Sequence, residues 1–348
     1  MANTTRTVKV GTTLIGGGHP PVIQTMWNEP LREDSLQAAE ERIGVLGSLG
    51  CGVLRFAAPD IAAAELLGRL AGMTDMPLVA DIHFDWRIAL RCLDFPIAKI
   101  RLNPGNLGAA WKLDEVASKA AERGVPIRIG GNAGSLPKDL EGMEDRAEAL
   151  VRAAEREIEA LDARNFTAVI VSMKASSVTD TLRANELFAA RHDVPLHIGV
   201  TEAGPLVQGC VRSAVALHGL LSRGIGDTLR VSLSDSMENE VLAGREILAL
   251  ATGQRQGADI VSCPRCGRAS FDTHAFTARW RDAIYSIRKP VTVAGMGCVV
   301  NGPGEARHAD IGITGAGDKV IIFRKGEIVR NCDASSADTV FGEELSRL

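Results

Sequence analysis

Two groups of residues in this 348-residue sequence have types and spacings that do chemistry. The first is a set of cysteines near the C-terminus. Cys263 and Cys266 stand as C-x-x-C, Cys298 lies in the glycine- and proline-rich stretch Gly297–Glu305, and Cys332 follows. Two cysteines at that spacing chelate one metal centre, and a glycine-rich loop lets backbone approach it. The Cys-Pro-x-Cys-Gly form occurs in zinc ribbons as well as iron–sulfur sites, so spacing leaves both metals open, with Cys332 a candidate fourth ligand. Cys51, Cys92 and Cys210 stand alone in apolar or helical-looking segments and read as buried small hydrophobes.

The second group is a series of cations at alternate positions of short apolar runs. Arg55 sits between Leu54 and Phe56, while Lys99, Arg101 and Asn103 alternate with Ile100 and Leu102. Arg128 and Asn132 share a face against Ile127 and Ile129, Ser172 and Lys174 against Val171 and Met173, and Arg230 and Ser232 against Leu229, Val231 and Leu233. His197, Gly199 and Thr201 alternate with Leu196, Ile198 and Val200, and Asp81 and His83 flank Ile82. Side chains alternate faces along a strand, so each run has one apolar and one polar face. A purely structural account pairs these cations with Asp81, Glu202 and Asp227. The cations outnumber those carboxylates, which points to an anionic ligand, and the planar fork of arginine suits phosphate oxygens.

The elements that must position these residues are legible as eight short runs: Val22–Met26, Gly52–Ala57, Leu78–His83, Ala98–Asn103, Pro126–Gly131, Ala168–Lys174, Pro195–Val200 and Thr228–Leu233. Helical spacing fills stretches between them, such as Ser35–Leu49, Leu113–Arg123, Asp145–Leu161, Thr179–Arg191 and Met237–Ala251. Eight strand–helix units in this length predict an α/β fold, a (β/α)8 TIM barrel over residues 1–253, with a doubly wound open sheet as the competitor. The apolar faces must pack on the helices, so the polar faces point into the barrel, with the cations toward the C-terminal ends where barrel active sites lie. After Thr252–Gly257 the pattern changes to a small α+β domain over 258–348 that carries the clustered cysteines.

Composition narrows the function. With 45% apolar and 24% charged residues the chain is of ordinary globular type, and a formal charge of −4 speaks against a nucleic-acid or membrane-surface binder. No apolar run reaches membrane-spanning length and the first ten residues lack a secretory pattern, so a cytoplasmic enzyme is expected. A phosphate-binding P-loop and a dinucleotide fingerprint after the first strand are both missing.

The ordered motifs resemble the bacterial 4-hydroxy-3-methylbut-2-enyl diphosphate synthases. They include Ala80–Asp85, Ile100–Asn106, Ile127–Gly130 with Asn132–Leu136, Ser172 with Lys174–Ser176, Thr201–Gly204, Gly224–Ser232, the Cys263–Cys266 pair and Gly297–Ala306. The resemblance implies a 4Fe–4S cluster held by Cys263, Cys266, Cys298 and Glu305, with Cys332 a non-ligand. It implies 2-C-methyl-D-erythritol 2,4-cyclodiphosphate as substrate, flavodoxin or ferredoxin as electron donor, and a homodimer in which one protomer's cluster domain closes over its partner's barrel. Arg55, Arg101, Arg128, Lys174 and Arg230 would then clamp the diphosphate, with Asn103, Asn132, Ser135, Thr201 and Ser232 adding neutral contacts. Glu202 is the candidate proton donor, ahead of His83 with Asp81. The family's threonine-rich stretch reads here Gln24–Pro30, which puts Trp27 and Glu29 at the barrel mouth, and Phe56 is bulkier than the family pattern. Two competing readings are a zinc-stabilised barrel that handles a phosphorylated metabolite without redox chemistry and an aldolase with Lys174 as Schiff-base amine.

Overall fold

Short apolar segments, each followed by an amphipathic helix, can bury both faces of a parallel sheet only if helices cover its outside. The computed structural model, which describes Thr4–Gly131 and Leu136–Leu348, has that arrangement. It falls into two units, Met1–Gln254 and Arg255–Leu348.

The first unit opens with a hairpin, β1 (Val8–Val10) and β2 (Thr13–Ile15). The alternating elements follow: β3 (Val22–Met26), α1 (Leu36–Leu49), β4 (Val53–Ala57), α2 (Ile61–Ala71), β5 (Leu78–Asp81), α3 (Trp86–Cys92), β6 (Lys99–Arg101), α4 (Ala110–Arg123) and β7 (Ile127–Ile129). Next come α5 (Lys138–Glu141), α6 (Arg146–Asp162), β8 (Val169–Val171), α7 (Val178–Arg191), β9 (His197–Ile198), α8 (Leu206–Leu221), β10 (Thr228–Leu229) and α9 (Met237–Thr252). Asp60, Asp145, Ser177 and Ser236 cap the N-termini of α2, α6, α7 and α9 through side-chain oxygens.

Neighbouring strands pair in parallel from β3 to β8, and β10 lies between β9 and β3. A single parallel bridge, Val171 to Leu196, joins β8 to β9 and closes the eight strands into a barrel. The hairpin packs its Val8, Val10 and Ile15 against Val53, Val79, Ala98 and Ile170, making an apolar floor at the N-terminal ends of the strands.

The observed strands stop earlier than the alternating pattern predicted. β5 ends at Asp81 rather than His83, β6 at Arg101 rather than Asn103, and β9 and β10 keep two residues each. The polar alternation runs on past the last ladder bond because loop residues above the strands still face the lumen.

The second unit is a five-stranded sheet of order β11 (Asp259–Ser262), β12 (Thr292–Met296), β13 (Ile311–Ala316), β14 (Lys319–Arg324) and β15 (Glu327–Asp333). α10 (Thr273–Tyr285) and α11 (Ala337–Leu345) pack on it through Phe276, Ile284 and Phe341. Cys332 packs against this core. Among the described residues no helix is long and apolar enough to cross a membrane.

Candidate functional site

The barrel lumen is lined by charge. Lys99, Arg128, Lys174 and His197 are buried, with Gln24, Thr25, Ser172 and Thr228 around them. Arg55, Arg101 and Arg230 lie nearer the rim, their side chains 11%, 13% and 16% exposed.

Two carboxylates answer the rim cations. Asp81 sits 3.6 Å from Arg55 Nε and 3.1 Å from Arg101 Nη1. Burial raises its pKa, but Arg55, Arg101 and Arg128 outweigh burial and hold it below the usual carboxylate range. Glu240, from the first turn of α9, accepts from Arg230 Nε at 3.1 Å and Nη2 at 3.0 Å, from Thr25 Oγ1 at 2.5 Å and from the Leu233 amide at 2.9 Å. Sequence reasoning missed Glu240, because an acid in the first turn of a helix reads as a partner of the helix dipole.

The deeper cations have neutral partners. Lys99 Nζ donates to Gln24 Oε1 at 3.2 Å, Arg128 Nη1 to Ser172 Oγ at 2.7 Å, and Lys174 Nζ lies 2.9 Å from His197 Nε2. Burial, with the neighbouring arginines adding to it, lowers Lys99 and Lys174 well below the ordinary lysine range. Gly199 makes room for this packing: a Cβ there would lie 3.0 Å from Lys174 Nζ and 2.6 Å from the Arg230 carbonyl. The Nε atoms of Arg55, Arg101 and Arg128 and Gln24 Nε2 are buried without a hydrogen-bond partner among the described residues. A site with this many desolvated donors is complementary to an anion rich in acceptor oxygens.

The other predicted residues divide. His83 is exposed, with Nε2 3.1 Å from Arg101 Nη1. Thr201 is half-buried above β9, and its amide donates to the Ala175 carbonyl. Glu202 follows it, exposed and in the left-handed region at φ 53°, a sparsely populated conformation for a residue with a side chain. Ser232 is half-buried above β10. Asn103 caps the turn after β6 and lines a cleft of about 820 Å³ with Gly131, Arg156 and Glu157. Asn132 and Ser135 lie outside the described residues. Asp227, one of the carboxylates of the structural account, is at the opposite end of β10: it accepts from the Leu196 amide and Thr5 Oγ1, each at 2.8 Å, and burial raises its pKa. The position expected of Trp27 also needs correcting. It stacks on Phe56 with ring centroids 5.2 Å apart and lies under Arg42 of α1, while Met26 turns its sulfur to Arg55. Residues adjacent along a strand point to opposite faces, so Trp27 belongs to the layer between strands and helices.

In the second unit, Cys263, Cys266 and Cys298 line one cavity of about 160 Å³ together with Gly297 and Asn301. The Gly297 amide donates to Cys263 Sγ at 3.1 Å, an orientation that favours a thiolate. Glu305 is exposed at the end of the π-helical turn Val300–Glu305, whose first turn follows Cys298. Among the described residues, no three His, Cys, Asp or Glu side chains converge closely enough to hold a single metal ion. Three thiols on the wall of a shared cavity, with the Cys263 thiol hydrogen-bonded by the Gly297 amide and the Cys298 thiol drawn below its ordinary range by the backbone of Asn301 and Val300, fit a bulky thiolate-ligated group. Of the isolated cysteines, Cys51 and Cys92 are buried and burial pushes their thiols up to about 11 and about 12, whereas Cys210 is only half-buried.

Comparison with known proteins agrees with both units. Residues 5–245 match the GcpE TIM-barrel domain and residues 259–347 the GcpE protein C-terminal domain. The 4-hydroxy-3-methylbut-2-en-1-yl diphosphate synthase (flavodoxin) of Treponema pallidum is 53% identical, over 96% of this chain and 88% of that protein. The synthase of the same name from Geobacter sulfurreducens is 44% identical, over 99% and 98%. Among solved structures, Xanthomonas albilineans dihydropteroate synthase (TM-score 0.52, 14% identity, 71% of this chain and 97% of that one) shares the barrel fold. So does Clostridium difficile type I 3-dehydroquinate dehydratase (TM-score 0.52, 16% identity, 72% and 99%). A cation-lined barrel, a three-cysteine cavity and near-complete matches over both units establish that the chain belongs to the GcpE family of 4-hydroxy-3-methylbut-2-en-1-yl diphosphate synthases.

Proposed function

We propose that this chain reduces 2-C-methyl-D-erythritol 2,4-cyclodiphosphate. Two electrons and two protons are taken up and two C–O bonds break: the ring C–O bond, which leaves a linear diphosphate, and the C–OH bond, whose oxygen leaves as water. A C=C bond forms between those two carbons, giving (E)-4-hydroxy-3-methylbut-2-enyl diphosphate for isoprenoid biosynthesis. The observation that carries the reading is the barrel lumen, where buried cations outnumber the two carboxylates that pair with them.

Arg128 and Lys174 bind the diphosphate from below, and Arg55, Arg101 and Arg230 close on it from the rim. Asp81 and Glu240 hold the rim guanidinium groups in place, so their remaining N–H groups are oriented before the ligand arrives. Asn103, Asn132, Ser135, Thr201 and Ser232 complete the contacts. Glu202, above β9, protonates the departing oxygen, with His83 and Asp81 as the alternative route. Residues 1–253 thus bind substrate and residues 258–348 hold the redox group. Cys263, Cys266, Cys298 and Glu305 would hold a 4Fe–4S cluster, which supplies the electrons and a Lewis-acidic iron. Flavodoxin is the electron donor, as the relatives' name supports, and the working form proposed is a cytoplasmic homodimer.

Anaerobic purification with a visible spectrum and iron and sulfide counts, followed by addition of the cyclodiphosphate and a chemical reductant, tests this. The expected result is a brown protein with about four irons per chain that makes the linear diphosphate. A colourless zinc protein would overturn the reading in favour of the zinc-stabilised barrel.

A further inference from the structure

The lumen holds a pair of basic nitrogens in direct contact. Lys174 Nζ is 2.9 Å from His197 Nε2, and His197 Nδ1 is 2.8 Å from Thr228 Oγ1. Lys174 is 5% exposed and His197 not at all. A hydrogen bond between two bases needs a proton on one and a lone pair on the other, so an imidazolium beside an ammonium would set donor against donor. The pair therefore carries at most one positive charge, and because imidazole is the weaker base and His197 is wholly buried, the ring is the neutral member: Nε2 accepts from Lys174, and Nδ1–H donates to the Thr228 hydroxyl.

The titratable groups facing the pair are Arg128 from β7, Arg55 from β4, Lys99 and Arg101 from β6, and Arg230 above β10, all of them basic. The nearby carboxylates are already engaged, Asp81 by Arg55 and Arg101 and Glu240 by Arg230. Burial first, and this ring of cations second, draws both Lys174 and His197 well below their ordinary ranges.

We propose that Lys174 rests as a neutral amine against His197 and takes one proton from solvent when the diphosphate enters the barrel, so that substrate binding is coupled to proton uptake at this pair. The inference rests on the diphosphate reading above. The proton adds to the Nζ lone pair. The resulting ammonium keeps one N–H on His197 Nε2 and turns the other two toward phosphate oxygens, and the incoming negative charge offsets the repulsion of the surrounding arginines. His197 is the positioning residue that aims the amine.

Isothermal titration calorimetry decides this. The anaerobic holoenzyme, without reductant, is titrated with the cyclodiphosphate near pH 8 in buffers of different ionisation enthalpy. Both phosphates of this ligand are esterified and stay ionised at that pH, so the dependence of observed heat on buffer counts protons taken up by the protein. The expected value is about one proton per site, with Kd rising up to about tenfold per pH unit on the alkaline side. Lys174→Arg, charged at any accessible pH, should bind with almost no uptake, and Lys174→Met should bind more weakly and also without uptake. Saturable wild-type binding with no buffer dependence overturns the proposal, as does full uptake in Lys174→Met. If neither variant folds, the wild-type titration decides alone. No binding in any buffer would instead overturn the diphosphate reading on which the inference stands.

Discussion

Replacing Glu240 by glutamine removes one charge from the rim of the barrel while keeping the side-chain volume. The carboxylate accepts four hydrogen bonds, two per oxygen: Arg230 Nη2 and the Leu233 amide on Oε1, Arg230 Nε and Thr25 Oγ1 on Oε2. An amide oxygen in the Oε1 place keeps the first two. The NH₂ in the Oε2 place then faces Thr25, whose hydroxyl can turn to accept, and Arg230 Nε, which cannot. One charge-assisted bond is lost, about 1.5–3 kcal/mol, and the 84%-buried guanidinium side chain loses its counter-charge. Breaking a buried pair costs about 3–5 kcal/mol, so we expect Glu240→Gln to destabilise the barrel by about 3 kcal/mol. Arg230 released from its fork no longer presents a fixed edge to the lumen. A loss of about 1.4 kcal/mol in binding corresponds to a tenfold rise in KM for the cyclodiphosphate, with kcat changed less because Glu240 does not touch the reacting atoms. Urea unfolding followed by tryptophan fluorescence and steady-state turnover with a chemical reductant provide the two readouts. A variant as stable as the parent with unchanged KM would mean that Glu240 does not hold Arg230, and the argument from geometry would fail.

Two further perturbations separate structure from chemistry. Trp27→Ala should cost about 3–5 kcal/mol of stability, because it removes the ring stacked on Phe56, while KM and kcat stay within about twofold. A large rise in KM in a folded variant would put Trp27 back at the mouth. Glu157, on α6, accepts from the Gly130 amide at 2.7 Å, and burial pushes its carboxyl up to about 7. A raised acid binds its proton more tightly folded than unfolded, so its contribution is complete below the ordinary value of 4.5 and is lost as pH rises through about 7. Glu157→Gln should therefore match the parent near pH 4 and exceed it above neutrality by up to about 3 kcal/mol; urea unfolding across that range checks the sign, and a pH-independent difference would refute it.

The lumen was legible because alternation along a strand is geometric: once Ile127 and Ile129 face the helices, Arg128 must face in. The same rule exposed Lys99 and His197, although their contacts with Gln24 and Thr228 join residues far apart in sequence. Residues that reach the site from helices stayed hidden. Glu240 and Glu157 lie in helical patterns with other acids and arginines, which read as a solvated face, and no local signal distinguishes a carboxylate that turns inward. Trp27 and Phe56 were noticed as separate departures, and only the fold shows that each fills the space beside the other. In the second unit, β13 escaped notice because Gly312 and Gly315 dilute its apolar pattern. Phe323 occupies the place of a side chain at Gly312, where a Cβ would come within 2.2 Å of its ring. The cysteine cavity was half-legible: three thiols could be placed together from spacing, but the exposed Glu305 entered only through family resemblance.

The N-terminal hairpin gives this barrel a closed bottom. Val10 and Ile15 are wholly inaccessible to solvent, as are Val53, Val79 and Ile170 above them. An apolar plug of that kind conducts neither ions nor protons, since any charge crossing it would be stripped of water. Substrate, product, the released water and the proton that Lys174 takes up therefore do not cross this end of the barrel, and the floor acts as an insulator beneath the charged lumen.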